Sequence, residues 1–144
     1  MKNSSFEKTS KPVHIELKKL VDHNHPLVQL NDLISWTNLE LAFRPAEQEP
    51  SRTRLMLALH YLRHTYELSD IEVLKRTGIN PYYQYFCGFE YFSTDTGVSP
   101  EDMKRWRTGL GPEWSVELLV AAMESELRPE MIAYELNPEL KTAS

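Results

Sequence analysis

Lys104-Arg-Trp-Arg107 places three cations in four consecutive positions, the densest basic cluster of this 144-residue chain. Lysine and arginine at that spacing bond phosphate oxygens or base edges of a nucleic acid, provided a fixed backbone presents them. The same residues also describe an ordinary solvated helix face. His60 and His64 stand four apart with Glu67 three further on, so two imidazoles and a carboxylate share one helical face, a geometry able to bind zinc. The metalloprotease pattern needs Glu directly after the first His, and Tyr61 stands there, so these residues read as the polar strip of a core helix. Cys87 has aromatic neighbours and no adjacent base to lower its pKa, which describes an inert buried thiol. Residues 82–92 hold seven of the chain's fifteen aromatics. Such a run can stack single-stranded bases, but at helical spacing around Gly88 it reads as the anchor of a hydrophobic core.

These groups need elements to position them. Pro26 opens a segment with Leu27, Leu30, Leu33, Ile34 and Trp36 at helical spacing. A polar stretch at 44–51 reads as a loop. From Arg52 to Leu68 there is no Gly or Pro. Leu55, Leu59, Leu62 and Tyr66 cover one face and Leu57, Tyr61 and Leu68 a second, which predicts a helix in the middle of a bundle. Ser69-Asp-Ile-Glu72 is a capping box with Gly78 as a stop, and Asn80-Pro81 restarts a short helix that closes near Gly88. Ser99-Pro-Glu-Asp102 repeats the start signal ahead of the basic cluster. On the wheel of that helix Met103, Trp106 and Leu110 point inward, Lys104, Arg105 and Thr108 outward, and Arg107 lies on the flank. A last helix is expected over about 112–127. No stretch shows sustained two-residue alternation, so the fold class is all-α: a small multi-helix bundle with a helix-turn-helix-like element.

Net charge is −5, which argues against a protein that coats DNA through bulk charge. The acidity is concentrated late: residues 112–144 carry a net −5, whereas 51–80 carry +2 and 1–20 carry +3. One cysteine excludes an internal disulfide, and no apolar run is long enough to span a membrane. The reading is a cytoplasmic protein. It divides into a flexible polar arm (1–24), a helical domain (25–127) and an acidic tail (128–144).

Four blocks, in order and spacing, resemble a known family. They are His25-Pro-Leu-Val-Gln-Leu30 with Trp36, the Arg54–Asp70 helix, Asn80-Pro-Tyr-Tyr-Gln-Tyr-Phe-Cys-Gly88 with Glu90 and Phe92, and Met103-Lys-Arg-Trp-Arg107 with Leu110-Gly111. Together they resemble the N-terminal domain of DDE-type insertion-sequence transposases. The chain departs from that family's pattern at Ser99-Pro-Glu-Asp102, where Asp-Pro-Ser-Ser is usual, and at Thr108-Gly-Leu-Gly111, where further basic residues are usual.

The resemblance implies a bacterial, nucleoid-associated protein that recognises double-stranded DNA at terminal inverted repeats. Lys104, Arg105, Arg107 and Thr108 would be the contacts, and Arg52, Arg54, Lys75 and Arg76 supporting ones. It also implies strand-transfer chemistry in a separate domain for which these residues leave no room, so a truncated, non-catalytic form is expected. No cofactor is expected, a divalent metal belonging only with that other domain. Asp95, in Thr94-Asp-Thr96, precedes the basic helix and reads as loop. The alternative is a module that pairs with itself or with full-length transposase and reaches DNA only through that partner.

Overall fold

The helix expected at the centre of the bundle is there, and its neighbours follow from its sequence. The computed structural model describes residues 14–43, 50–111 and 115–124. Among them are eight helices: α1 Leu17–Leu20, α2 Pro26–Leu33, α3 Trp36–Ala42, α4 Pro50–Thr65, α5 Asp70–Thr77, α6 Pro81–Cys87, α7 Pro100–Gly109 and α8 Val116–Glu124. Every residue from Met56 to Leu62 is buried, so α4 is enclosed around its circumference and packs against α3, α5, α6, α7 and α8. The described residues form no sheet; one isolated antiparallel bridge joins Glu16 to Tyr91. The fold is all-α.

Helix ends are set by the residues the sequence marks. Ser69 and Glu72 form a reciprocal capping box at α5, and Ser99 and Asp102 form another at α7. Asn80 caps α6 by accepting from the Tyr82 and Tyr83 N–H groups, and Gly88 closes it at φ 92°. Gly88 has φ 92°, which favours glycine, and a Cβ there would stand 2.9 Å from Arg54 Nε, so that side chain would have to shift.

The aromatic run is a clamp. Phe86 is fully buried between Trp36 and Tyr61, with ring centroids 5.3 and 5.4 Å away, and Tyr83 stacks on Tyr66. Buried Gln84 carries the polar half of the same clamp. Its Nε2 donates to the Thr77 and Ser93 carbonyls at 2.8 and 2.6 Å, and its Oε1 accepts from Ser93 N–H at 2.9 Å. One amide thereby holds the end of α5 and the chain leading toward α7, with both of its N–H groups and its oxygen bonded.

Three expectations are corrected in position. Residues 14–24, read from composition as part of a loose arm with one marginal helix near 14–21, carry the short helix α1 and are docked. Leu17 is fully buried, its N–H donates to Glu90 O, and Phe92 N–H donates to Ile15 O. The sparse apolar residues suffice because they meet the aromatic segment, a long-range match that local polarity does not report. The apolar spacing from Leu27 to Trp36 is divided between two helices, because Ile34 adopts extended backbone and turns its side chain into the core. The central helix ends at Thr65 rather than Leu68. Residues 1–13, most of the 44–51 loop and the acidic tail lie outside the described residues.

Candidate nucleic-acid interface

α7 is built to hold one face inward and offer the other. Met103 is fully buried and Trp106 is 4% exposed, its ring 5.0 Å from that of His60. Lys104, Arg105 and Thr108 are exposed, as the wheel requires. The Thr108 hydroxyl donates back to Lys104 O at 3.0 Å. Arg105 is 76% exposed and reaches Asp102 Oδ1 at 3.1 Å. Asp102 also closes the capping box begun by Ser99 and accepts from Arg52 at 3.3 Å, so one of the two acids in Ser99-Pro-Glu-Asp102 helps to cap this helix.

Arg107 has a different place from its neighbours. It lies on the flank of α7 and turns toward the bundle, where its guanidinium donates to both oxygens of Asp70, at 2.9 and 3.0 Å. Arg63 adds a further ion pair to Asp70 at 2.9 Å. Burial alone would raise the Asp70 carboxyl; the Arg107 hydrogen bonds and the charges of Arg107 and Arg63 outweigh it and hold the group below the usual carboxylate range.

His60 completes the network. Its Nδ1 lies 2.7 Å from Met56 O and its Nε2 lies 3.1 Å from Arg107 Nη1. A carbonyl can only accept and a guanidinium can only donate, so the imidazole is neutral, protonated at Nδ1 and accepting at Nε2. Burial, with the nearby Arg107 and Arg63 charges, pushes its pKa down to about 4. Both ring nitrogens are therefore occupied. His64 is exposed, and Glu67 lies past the helix end, so the face shared by these three residues in the sequence is broken. Among the described residues no group of three or more His, Cys, Asp or Glu side chains is arranged to hold a metal.

The supporting cations divide in the same way. Arg54 lies over the Trp36 ring at 4.6 Å and donates to Asn31 Oδ1 at 2.7 Å, and burial lowers its pKa. Arg52 donates to Gly97 O at 3.0 Å as well as to Asp102. Lys75 and Arg76, in the last turn of α5, are exposed. Of the eight expected contacts, Lys104, Arg105, Thr108, Lys75 and Arg76 face solvent, while Arg107, Arg54 and Arg52 tie helices and loops together. The inward cations were not separable from the outward ones in sequence, because the partners that claim them, Asp70 and Asn31, are 37 and 23 positions away.

Cys87 is buried, and its thiol is pushed up to about 12 by burial, against a smaller opposing effect of Arg54. Asp95 is a loop residue whose Oδ1 accepts from Gly97 N–H at 2.8 Å.

The family described as Transposase domain (DUF772) matches residues 15–109, which takes in α1 through α7. The chain belongs to this transposase-domain family. The match ends at the last residue of α7, so the capped basic helix lies within what the family shares. A relative described as "Uncharacterized protein ORF8 in nfe locus", from Rhizobium meliloti, is 39% identical over 125 residues, covering 81% of this chain. The transposase-domain chain spans 60% of that relative's length. No solved structure matches it. Among the described residues no helix is long and apolar enough to cross a membrane.

Proposed function

We propose that this chain is a duplex-DNA-binding module of an insertion-sequence transposase that recognises terminal inverted repeats and carries out no strand transfer through these residues. The observation that carries the reading is the split within α7. Lys104 and Arg105 stand in water while Trp106 beside them is buried and Arg107 is bonded into the bundle. Two cations on a rigid, capped helix are oriented before they meet phosphate, which reduces the ordering cost of binding. Arg105 is released from Asp102 at little cost, since so exposed an ion pair contributes at most about 1 kcal/mol. The DNA-bound state belongs to the bacterial cytoplasm, and a divalent metal would enter only with a strand-transfer domain.

A second reading is pairing with itself or with a longer transposase. It draws support from Leu41 on α3 and Leu118 on α8, which are 68% and 50% exposed. The experiment that separates the two titrates the protein with duplexes cut from the two ends of the DNA segment carrying its gene, against unrelated duplex. Preferential, salt-sensitive binding to the ends supports the first reading. Self-association without DNA binding at any salt concentration removes it.

A further inference from the structure

Tyr66-Glu-Leu-Ser69 is the whole connection between α4 and α5. Within it Glu67 adopts φ 54°, and Leu68 N–H returns to Arg63 O at 2.8 Å, which closes α4 and redirects the chain within one turn. A turn of that length is the connection a helix-turn-helix uses, and in that motif the second helix enters the major groove. The basic helix α7 is not placed that way, for the long segment Gly88–Ser99 separates it from α6. The helix in the second position is α5.

The inner face of α5 is fixed. Val73 and Thr77 are fully buried, and Asp70 is bonded to Arg107. Its outer face carries Ile71, 55% exposed, with Lys75 four residues on and Arg76 beside it, all in water. Ile71 and Lys75 are neighbours on the helix surface. The one acid on this face, Glu72, accepts from Ser69 N–H at 2.8 Å in the capping box. A half-exposed isoleucine next to a lysine does not serve the core. In the major groove the pair has partners: a thymine methyl for the isoleucine and guanine O6 and N7 for the lysine. Charge points to the same occupant, since α5 and α7 pack together and present Lys75, Arg76, Lys104 and Arg105 outward.

We infer that α5 is the base-reading helix of this domain, with Ile71 and Lys75 determining sequence specificity and α7 bonding the flanking phosphates. This rests on the reading that the chain binds duplex DNA. Arg107 and Asp70 couple the two helices, so the groove and backbone contacts are held in one register.

The test selects a preferred duplex from a pool randomised over its centre. It then compares affinity for that duplex and for a shuffled version in the wild type, Ile71→Ala, Lys75→Ala and Lys104→Ala/Arg105→Ala. Melting curves check that each variant is folded. Ile71→Ala and Lys75→Ala should each lower the discrimination between the two duplexes about tenfold. Ile71→Ala should leave the salt dependence unchanged. Lys104→Ala/Arg105→Ala should weaken both duplexes alike and reduce the salt slope by about 2. Full discrimination in both α5 variants overturns the assignment while leaving DNA binding in place. So does loss of discrimination only in the α7 variant, which would make α7 the reader. A change of oligomeric state in Ile71→Ala with discrimination intact assigns that residue to a contact between copies and overturns it too. A wild-type chain that binds no duplex overturns both this assignment and the function beneath it.

Discussion

Arg107 donates to both carboxylate oxygens of Asp70, at 2.9 and 3.0 Å, and so fastens the end of the basic helix to the start of the helix beside it. A bidentate guanidinium–carboxylate pair fixes direction as well as distance. The consequence is a division of labour inside one four-residue motif: Lys104 and Arg105 face outward, Trp106 packs, and Arg107 braces.

Arg107→Ala should therefore act on stability and Lys104→Ala should not. Removing the guanidinium leaves Asp70 with Arg63 alone and leaves His60 Nε2 without its donor. With Asp70 still partly open to water and paired to Arg63, the expected loss is about 1–3 kcal/mol, against under about 0.5 kcal/mol for exposed Lys104. Urea denaturation of the two variants measures the difference. Equal midpoints would show that the pair braces nothing.

Acid should destabilise the fold first through His60. Its folded pKa, about 4, lies below the ordinary value of 6.5, so below pH 6.5 the unfolded chain binds a proton that the folded chain refuses. Stability then falls as pH drops from 6.5 toward 4, by on the order of 3 kcal/mol across the window. Asp70 acts lower. Its folded pKa is depressed, so its contribution is intact above the ordinary 3.8 and is lost as pH falls below that. Unfolding midpoints from pH 7.5 down to 5.5 follow His60 ahead of the depressed carboxylates Glu72, Asp102 and Asp70. A flat profile over that range contradicts a buried neutral His60.

Gly88→Ala should cost more than Gly97→Ala, although both glycines have positive φ. At Gly97 a Cβ meets nothing within 4 Å, so only the backbone preference is lost, about 1 kcal/mol. At Gly88 the new carbon meets Arg54 Nε at 2.9 Å and pushes the guanidinium off the Trp36 ring. The expected loss there is about 2–4 kcal/mol. Thermal melts of the pair decide it, and equal shifts would mean that Arg54 yields freely.

Much of this architecture is legible in the residues. The capping boxes at Ser69 and Ser99, the Asn80–Gly88 helix and the buried face of α7 follow from local spacing, because each depends on neighbours within one or two turns. What sequence did not disclose is long-range. Leu17 docks because Glu90 and Phe92 pair with its segment. Gln84 looks like any polar residue until Thr77 and Ser93 are brought around it. Asp70 could be read only as a first-turn acid, and its bond to Arg107 is what withdraws that arginine from the exposed face. The central helix stops at Thr65 because Glu67 takes a left-handed conformation, for which glycine would have been the usual signal.

The central claim, that the exposed face of α7 meets DNA phosphates, is tested most directly by duplex affinity as a function of salt in the wild type and in Lys104→Ala/Arg105→Ala. The account predicts that wild-type affinity falls linearly on logarithmic axes, and that the variant, folded and equally stable, binds more weakly with a slope shallower by about 2. Identical slopes for the two proteins, or no binding by the wild type even at low salt, would contradict it.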